Sequence, residues 1–391
     1  MRLLRLWVAP VLFSLAMQVQ PMPACSPSPA PPQNPTPTPD PNTPNVPTST
    51  FTAADGTRFG VQIYLTRLEV PWSLAFAPDG RLFIGERPGR VRIVQNGQLV
   101  NEPALVLDDV FDQGEAGLLG VALHPDFAQN RLVYLAYTAR AGSGAVNRLV
   151  RYREVNGRLG ERAVLVDNIR AAPIHDGARL RFGPDGLLYM SMGDAADTST
   201  AQDLGSFNGK ILRFTDDGRT PSGNPFSSPV WSYGHRNPQG FDWSPTGDMW
   251  ASEHGPTGND EINLIGAGAN YGWPLITGGA TRAGMVTPVL FFSPAIAPSG
   301  ASFYRNGPIA AFRGNLFVAA LAGMGLLRVR FDPADPRRVL AHELLLQGVY
   351  GRIRDVVFGP DGALYVSTSN RDNRSTPVQD DDRVLRIVGG I

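Results

Sequence analysis

One short motif recurs along this chain and limits what it can become: an apolar pair, a small residue, Pro-Asp-Gly or a variant, then an apolar strand. It is clearest at Leu74–Ile84, Leu180–Met190 and Val356–Val366, with weaker copies from Val121, Phe241 and Ala301. Pro presets φ at the first corner of a turn, Asp bonds to the backbone two residues on, and Gly takes the positive φ that reverses the chain. Alternating apolar residues on either side make each copy a hairpin. Phe76, Leu123, Phe182, Trp243, Phe303 and Phe358 are equivalent points, about 47 to 61 residues apart, a spacing that suits a four-stranded unit. Six such units predict an all-β, six-bladed propeller of four-stranded antiparallel blades, with its site built from loops at one mouth of the central channel. Two packed sheets can use the same hairpins, so the repeat speaks only to architecture.

Composition fits many tight turns, since Gly and Pro make up about a fifth of the 391 residues. Formal charge is zero, so no global field favours nucleic acid. Lys210 is the only lysine; arginine carries nearly all the positive charge. Arg2 and Arg5 precede an apolar stretch, Leu6–Met17, which is too short for a membrane span and reads as an export signal over residues 1–25. It ends at Cys25, the single cysteine, which is either a lipid attachment point or simply close to a cleavage site. With no second cysteine, no intrachain disulfide supports the fold. Residues 26–50, rich in Pro and Thr, read as an extended tether with little to bury, ahead of a propeller domain at 51–391. The expected location is periplasmic or extracellular, with a membrane tether through Cys25 if it is lipidated.

Four segments interrupt the hairpins with polar and glycine residues that packing does not require. They are Asp112–Gly120; His175–Arg179 with Gly193-Asp194; Gly234–Gly240 leading to Ser252–Pro256; and Gly351–Arg354. Each borders an inner strand, so a propeller brings them to one mouth. His175 suits a general base oriented by a carboxylate such as Asp194, but a structural histidine at a strand entrance fits the same spacing. Arg352 and Arg354, two apart, can clamp a polycarboxylate or stand as a solvated pair. Pro238 pushes Asn237 towards extended geometry, which can turn Arg236 and Asn237 inward. Gly255-Pro256 offers adjacent carbonyls to a hard cation, or is only a tight turn.

On these residues the chain resembles the soluble pyrroloquinoline quinone (PQQ)-dependent glucose dehydrogenases and their aldose sugar dehydrogenase relatives. The matching stretches run in order over residues 65 to 388: GLLGVALHPDF, HDGARLRFGPDG, LGSFNGKILRF, YGHRNPQGFDW, SEHGPTGNDEINLI, ANYGWP and GRIRDVVFGPDGALYV. The resemblance implies oxidation of aldose sugars at C1 to lactones, with hydride passing to PQQ and electrons to an external acceptor. His175 then matches the general base and Asp194 the carboxylate that orients it. Arg236 and Gln113 match residues beside the quinone oxygens, and Asn237, Arg352 and Arg354 further PQQ contacts. Gly255 and Pro256 match carbonyl ligands of the calcium at PQQ; Glu261 and Tyr271 match a second, structural calcium site. One departure stands out: the lysine that the glucose enzymes place against PQQ is missing from Val318–Gly323, and the loss of that cation near Ala322 should weaken PQQ binding unless another arginine compensates. His254 also stands where those enzymes have Gln.

Two other readings compete. A non-catalytic propeller binding a glycan or protein does not need this set of His, Asp, Arg and Asn. A hydrolase or lactonase propeller needs channel carboxylates around a metal, whereas the inward candidates here are mainly His, Arg, Asn and Gln. The expected partners are an aldose sugar and an external electron acceptor, with the protein a monomer or a dimer.

Overall fold

Six hairpin copies build six sheets in the computed structural model, which describes residues 49–389. The export signal, Cys25 and most of the tether lie outside the described residues. The innermost strands are Pro71–Phe76, Leu118–Leu123, Leu180–Phe182, Pro238–Trp243, Pro298–Phe303 and Ile353–Phe358, which define blades 1 to 6. Each ends on the residue singled out by the repeat, and its partner strand returns antiparallel after the turn. The turn chemistry is as expected. Gly80, Gly186 and Gly362 have φ of 85°, 75° and 80°. Asp79, Asp185 and Asp361 each accept the N–H two residues on, at 3.2, 3.1 and 3.2 Å.

The blades follow one another around a ring, and blade 6 meets blade 1. The architecture is a six-bladed β-propeller. Four blades have four strands, as expected; blades 1 and 6 have five. In blade 6 the strand Arg58–Leu65 pairs with the C-terminal strand Val384–Val388, so strands from the two ends of the described residues share one blade and close the ring. The extra strand there, Ser49–Thr52, begins two residues inside the expected tether. Its backbone pairs with Arg58–Val61, and Phe51 stacks on Phe59 with ring centroids 5.8 Å apart. Among the described residues no helix is long and apolar enough to cross a membrane.

Six apolar clusters fill the ring, one at each blade interface. Serines on the second strands add a repeated bond from one blade to the next. Ser191 donates to the Pro238 carbonyl at 2.7 Å, Ser252 to Ser299 at 2.6 Å and, across the closure, Ser367 to Pro71 at 2.8 Å. Inner strands start, and second strands end, on the same face of the ring. Blade topology therefore gathers the polar segments at one mouth.

Candidate active site

His175 lies in the segment that leads from the last strand of blade 2, Arg158–Arg170, into the inner strand of blade 3. Asp194 follows the second strand of that blade, Leu188–Met192. His175 Nδ1 and Asp194 Oδ1 are 2.8 Å apart. Asp194 is buried and fixed from three sides: Oδ1 also accepts the Ala196 N–H at 2.9 Å, and Oδ2 accepts the indole N–H of Trp273 at 2.9 Å. A carboxylate so held favours the imidazole tautomer with its proton on Nδ1. Nε2, bonded to no described residue, is left as an acceptor. Gly193 makes the close approach possible, because a Cβ there would run into the His175 carbonyl.

Arg236 and Asn237 lead into blade 4, as the sequence predicted. The Arg236 guanidinium lies over the Trp273 ring, 5.4 Å from its centroid, and Nη1 donates to the His254 carbonyl at 3.2 Å. Burial pulls this guanidinium below its usual pKa. Trp273, which the sequence reading did not single out, thus touches both Asp194 and Arg236. Asn237 is fully buried, and neither its Oδ1 nor its Nδ2 has a partner among the described residues. Buried and unbonded polar atoms also occur at Arg236 Nε, His254 Nε2 and Arg354 Nε. Orphans of this kind are costly and uncommon; their grouping marks a place built for a polar ligand.

Arg352 and Arg354 meet on one carboxylate. Asp372 Oδ2 takes Arg352 Nε and Nη2, both at 3.0 Å, and lies 3.5 Å from Arg354 Nη2. Arg354 is buried, which rules out the solvated pair; its Nη1 donates to Gln239 Oε1 at 3.0 Å, and burial lowers its pKa to about 10. Arg179 is also buried next to Gln239. Arg179 bonds the Gln239 carbonyl at 2.8 Å and Asp355 at 3.0 Å, and lies 4.1 Å from the centre of the Trp72 ring. A cavity is lined by Glu115, Gln239, His254, Ala322, Arg352, Arg354 and Arg374 among others. The wall at Leu321-Ala322 brings no cation. Arg87 and Arg374, from other walls, add two, each paired to a carboxylate: Arg87 with Asp112 at 3.2 Å and Arg374 with Glu115 at 3.0 Å.

This ring of His, Asp, Asn and Arg coincides with a match over most of the chain: the sequence profile of the glucose / sorbosone dehydrogenases fits residues 68–377. The chain belongs to that family. The aldose sugar dehydrogenase YliI of Escherichia coli is 35% identical over 347 residues, 82% of this chain and 92% of that protein. Quinoprotein glucose dehydrogenase B of Acinetobacter calcoaceticus is 28% identical over 432 residues, covering 85% of this chain and 89% of that protein. The PQQ-bound aldose sugar dehydrogenase of Streptomyces coelicolor superposes with a TM-score of 0.77 at 35% identity, over 84% of this chain and 98% of that one. These glucose / sorbosone dehydrogenase relatives share the enzyme class expected from the sequence, sugar-oxidising oxidoreductases.

The remaining expected residues of this family member fall unevenly around the cavity. Gln113 is exposed and does not line it, whereas Glu115, two residues on, does. The Gly255 N–H donates to Asp260 at 2.8 Å, and the neighbouring Pro256 is exposed. No group of three or more His, Cys, Asp or Glu poised around a metal occurs among the described residues. Glu261 sits directly across the sheet from Glu253, and both line a small cavity with Gly255 and Tyr271. Burial, then the Glu253 charge, pushes the Glu261 carboxyl up to about 7, a situation that a cation would relieve. The Tyr271 hydroxyl is already engaged, donating to the Leu264 carbonyl at 2.6 Å and accepting from Gly266 at 2.8 Å. Only its backbone is left to offer a metal.

Proposed function

We propose that this protein oxidises aldose sugars at C1 to lactones with PQQ and calcium, His175 acting as the general base. One observation carries the reading: a buried, triply fixed Asp194 holds His175 by Nδ1 and leaves Nε2 bare, beside a cavity that gathers arginines.

The residues present fit an anionic, polyoxygen cofactor. Asn237, Arg236, Arg354 and His254 each have a buried polar atom in need of a partner. Arg352 and Arg354 are the groups to pair with its carboxylates, with Arg87 and Arg374 as further cations where Ala322 has none. When bound, PQQ would supply the two-electron acceptor and calcium a Lewis acid. The Gly255 and Pro256 carbonyls would hold that calcium, and Glu261 with the Tyr271 carbonyl would hold a structural one.

The protein's own work is proton removal and charge control. His175 Nε2 takes the proton from the sugar C1 hydroxyl, and the imidazolium that forms is stabilised by Asp194. Trp273 keeps that carboxylate from rotating away. The Arg236 guanidinium, held over Trp273, is placed to steady developing negative charge. Electrons then leave to an external acceptor. An exported location, periplasmic or extracellular with Cys25 as an anchor, suits the export signal and the tether.

The test is reconstitution of the purified protein with PQQ and calcium, following dye reduction by glucose and other aldoses. Turnover that depends on both additions is expected. No turnover, together with no spectral sign of bound PQQ, overturns the reading.

A further inference from the structure

His175 stands in the left-handed backbone region, at φ 63°. For a residue with a Cβ this conformation is unfavourable, so its surroundings must impose it. Two holds come from its own blade: Asp194 takes the ring, and the Ala195 N–H donates to the His175 carbonyl at 3.1 Å. The third comes from outside. Glu115, in the segment leading into blade 2, accepts the His175 N–H on Oε2 at 3.2 Å.

Glu115 is itself clamped. Its N–H donates to the Pro173 carbonyl at 2.7 Å, tying the two segments together. Its Oε1 receives Arg374 Nη2 at 3.0 Å, from a blade 6 loop far away in sequence. The Arg374 N–H is in turn anchored on Asp372 at 3.1 Å, the carboxylate that gathers Arg352 and Arg354. A carboxylate is otherwise out of place in a cavity that collects arginines, because it repels the anion they would bind. Its contacts supply the reason for it.

We propose that Glu115 is a positioning residue for the His175 base, and that Arg374 is the cation that keeps its carboxylate in place. The inference rests on the reading of His175 as the base. Glu115→Ala should lower kcat by about 10- to 100-fold through misplacement of the ring, with the aldose KM little changed. PQQ affinity, measured by titration, should hold or tighten, since a negative charge leaves the cavity. Glu115→Gln keeps an acceptor oxygen and should restore most of the rate. Arg374→Ala should fall between the wild type and Glu115→Ala.

Hydrogen exchange in the cofactor-free protein gives a readout independent of turnover. A peptide spanning residues 171–178 should exchange faster in Glu115→Ala and as in the wild type in Glu115→Gln. Wild-type kcat and exchange in Glu115→Ala overturn the proposal. So does a loss of PQQ affinity as large as that of Arg352→Ala, which makes Glu115 a cofactor contact instead. If His175→Ala retains turnover, the base reading itself fails; if it is dead while Glu115→Ala is fully active, only the positioning role fails.

Discussion

Asp194 and His175 are 19 residues apart in sequence and joined by a 2.8 Å bond, with the second Asp194 oxygen occupied by the Trp273 indole. The carboxylate therefore has no other geometry to offer. Asp194→Asn places an amide where the acceptor was; its N–H2 can donate to Nδ1 and favour the tautomer with the proton on Nε2. That tautomer cannot accept a proton from substrate. The expected result is a loss of kcat of about 100-fold or more, with PQQ affinity within a few-fold of wild type. Equal losses in affinity and rate would mean that Asp194 shapes the cofactor site instead.

The shared carboxylate of Arg352 and Arg354 leads to a second expectation. Asp372 orients Arg352 through Nε and Nη2, leaving Nη1 for a ligand. Arg352→Ala should weaken PQQ binding by about 10-fold or more, and Arg352→Lys should recover little, because an ammonium cannot hold Asp372 and a cofactor carboxylate in one plane. Wild-type affinity in the lysine variant would show that charge alone matters. Titration at two salt concentrations separates the possibilities further, since a purely electrostatic contact weakens most with salt.

The hairpins were legible because their information is local. Pro, Asp and Gly set each turn, and the last residue of every inner strand, from Phe76 to Phe358, could be read from the repeat. His175, Asp194, Asn237 and the arginine pair were legible as residues that packing does not demand. Trp273 and Glu115 were not, because their meaning lies in contacts between blades: Trp273 meets Asp194 across 79 residues, and Arg374 meets Glu115 across 259. Asp372 was not either, because it reaches Arg352 within blade 6 from a loop 20 residues on. Gln113 and Glu115 show the limit most directly. They share a loop without strand or helix periodicity, so nothing in the order of residues says which of the two faces the cavity. Only the Pro173 contact and Arg374 decide it.

Asp176, next to the base, should govern part of the stability profile. It is buried, accepts from Asn147 at 2.8 Å and from the Ala172 N–H at 3.1 Å, and lies 3.3 Å from Thr138 Oγ1. The Thr138 hydroxyl already donates to Asn147 at 2.8 Å, so the Asp176 oxygen beside it is best served by carrying the proton itself. Burial pushes this carboxyl up to about 7. A folded-state pKa above the unfolded value stabilises the protein fully below the unfolded pKa, and that contribution is lost as pH rises through about 7. Asp176→Asn should flatten the change in stability between about pH 4 and 7, as read by urea midpoints. An unchanged slope in the variant would mean that Asp176 is ionised throughout.

Lys210, the single lysine, is buried and has three backbone acceptors: Thr200 at 2.7 Å, Ala201 at 3.1 Å and Asn208 at 2.7 Å. Burial draws the ammonium down to about 8, while the three carbonyls are what make its charge tolerable. They close the loop that follows Asp194, so the lysine braces the turn that carries the carboxylate. Lys210→Met keeps the length of the stem but leaves those carbonyls without a donor, at a cost of roughly 2–4 kcal/mol. The midpoint of denaturant unfolding should fall accordingly. In the folded wild type an amine-directed reagent should leave Lys210 unmodified, and modification should appear only under denaturing conditions. Rapid labelling of Lys210 in the native protein would place its ammonium in solvent and remove the brace.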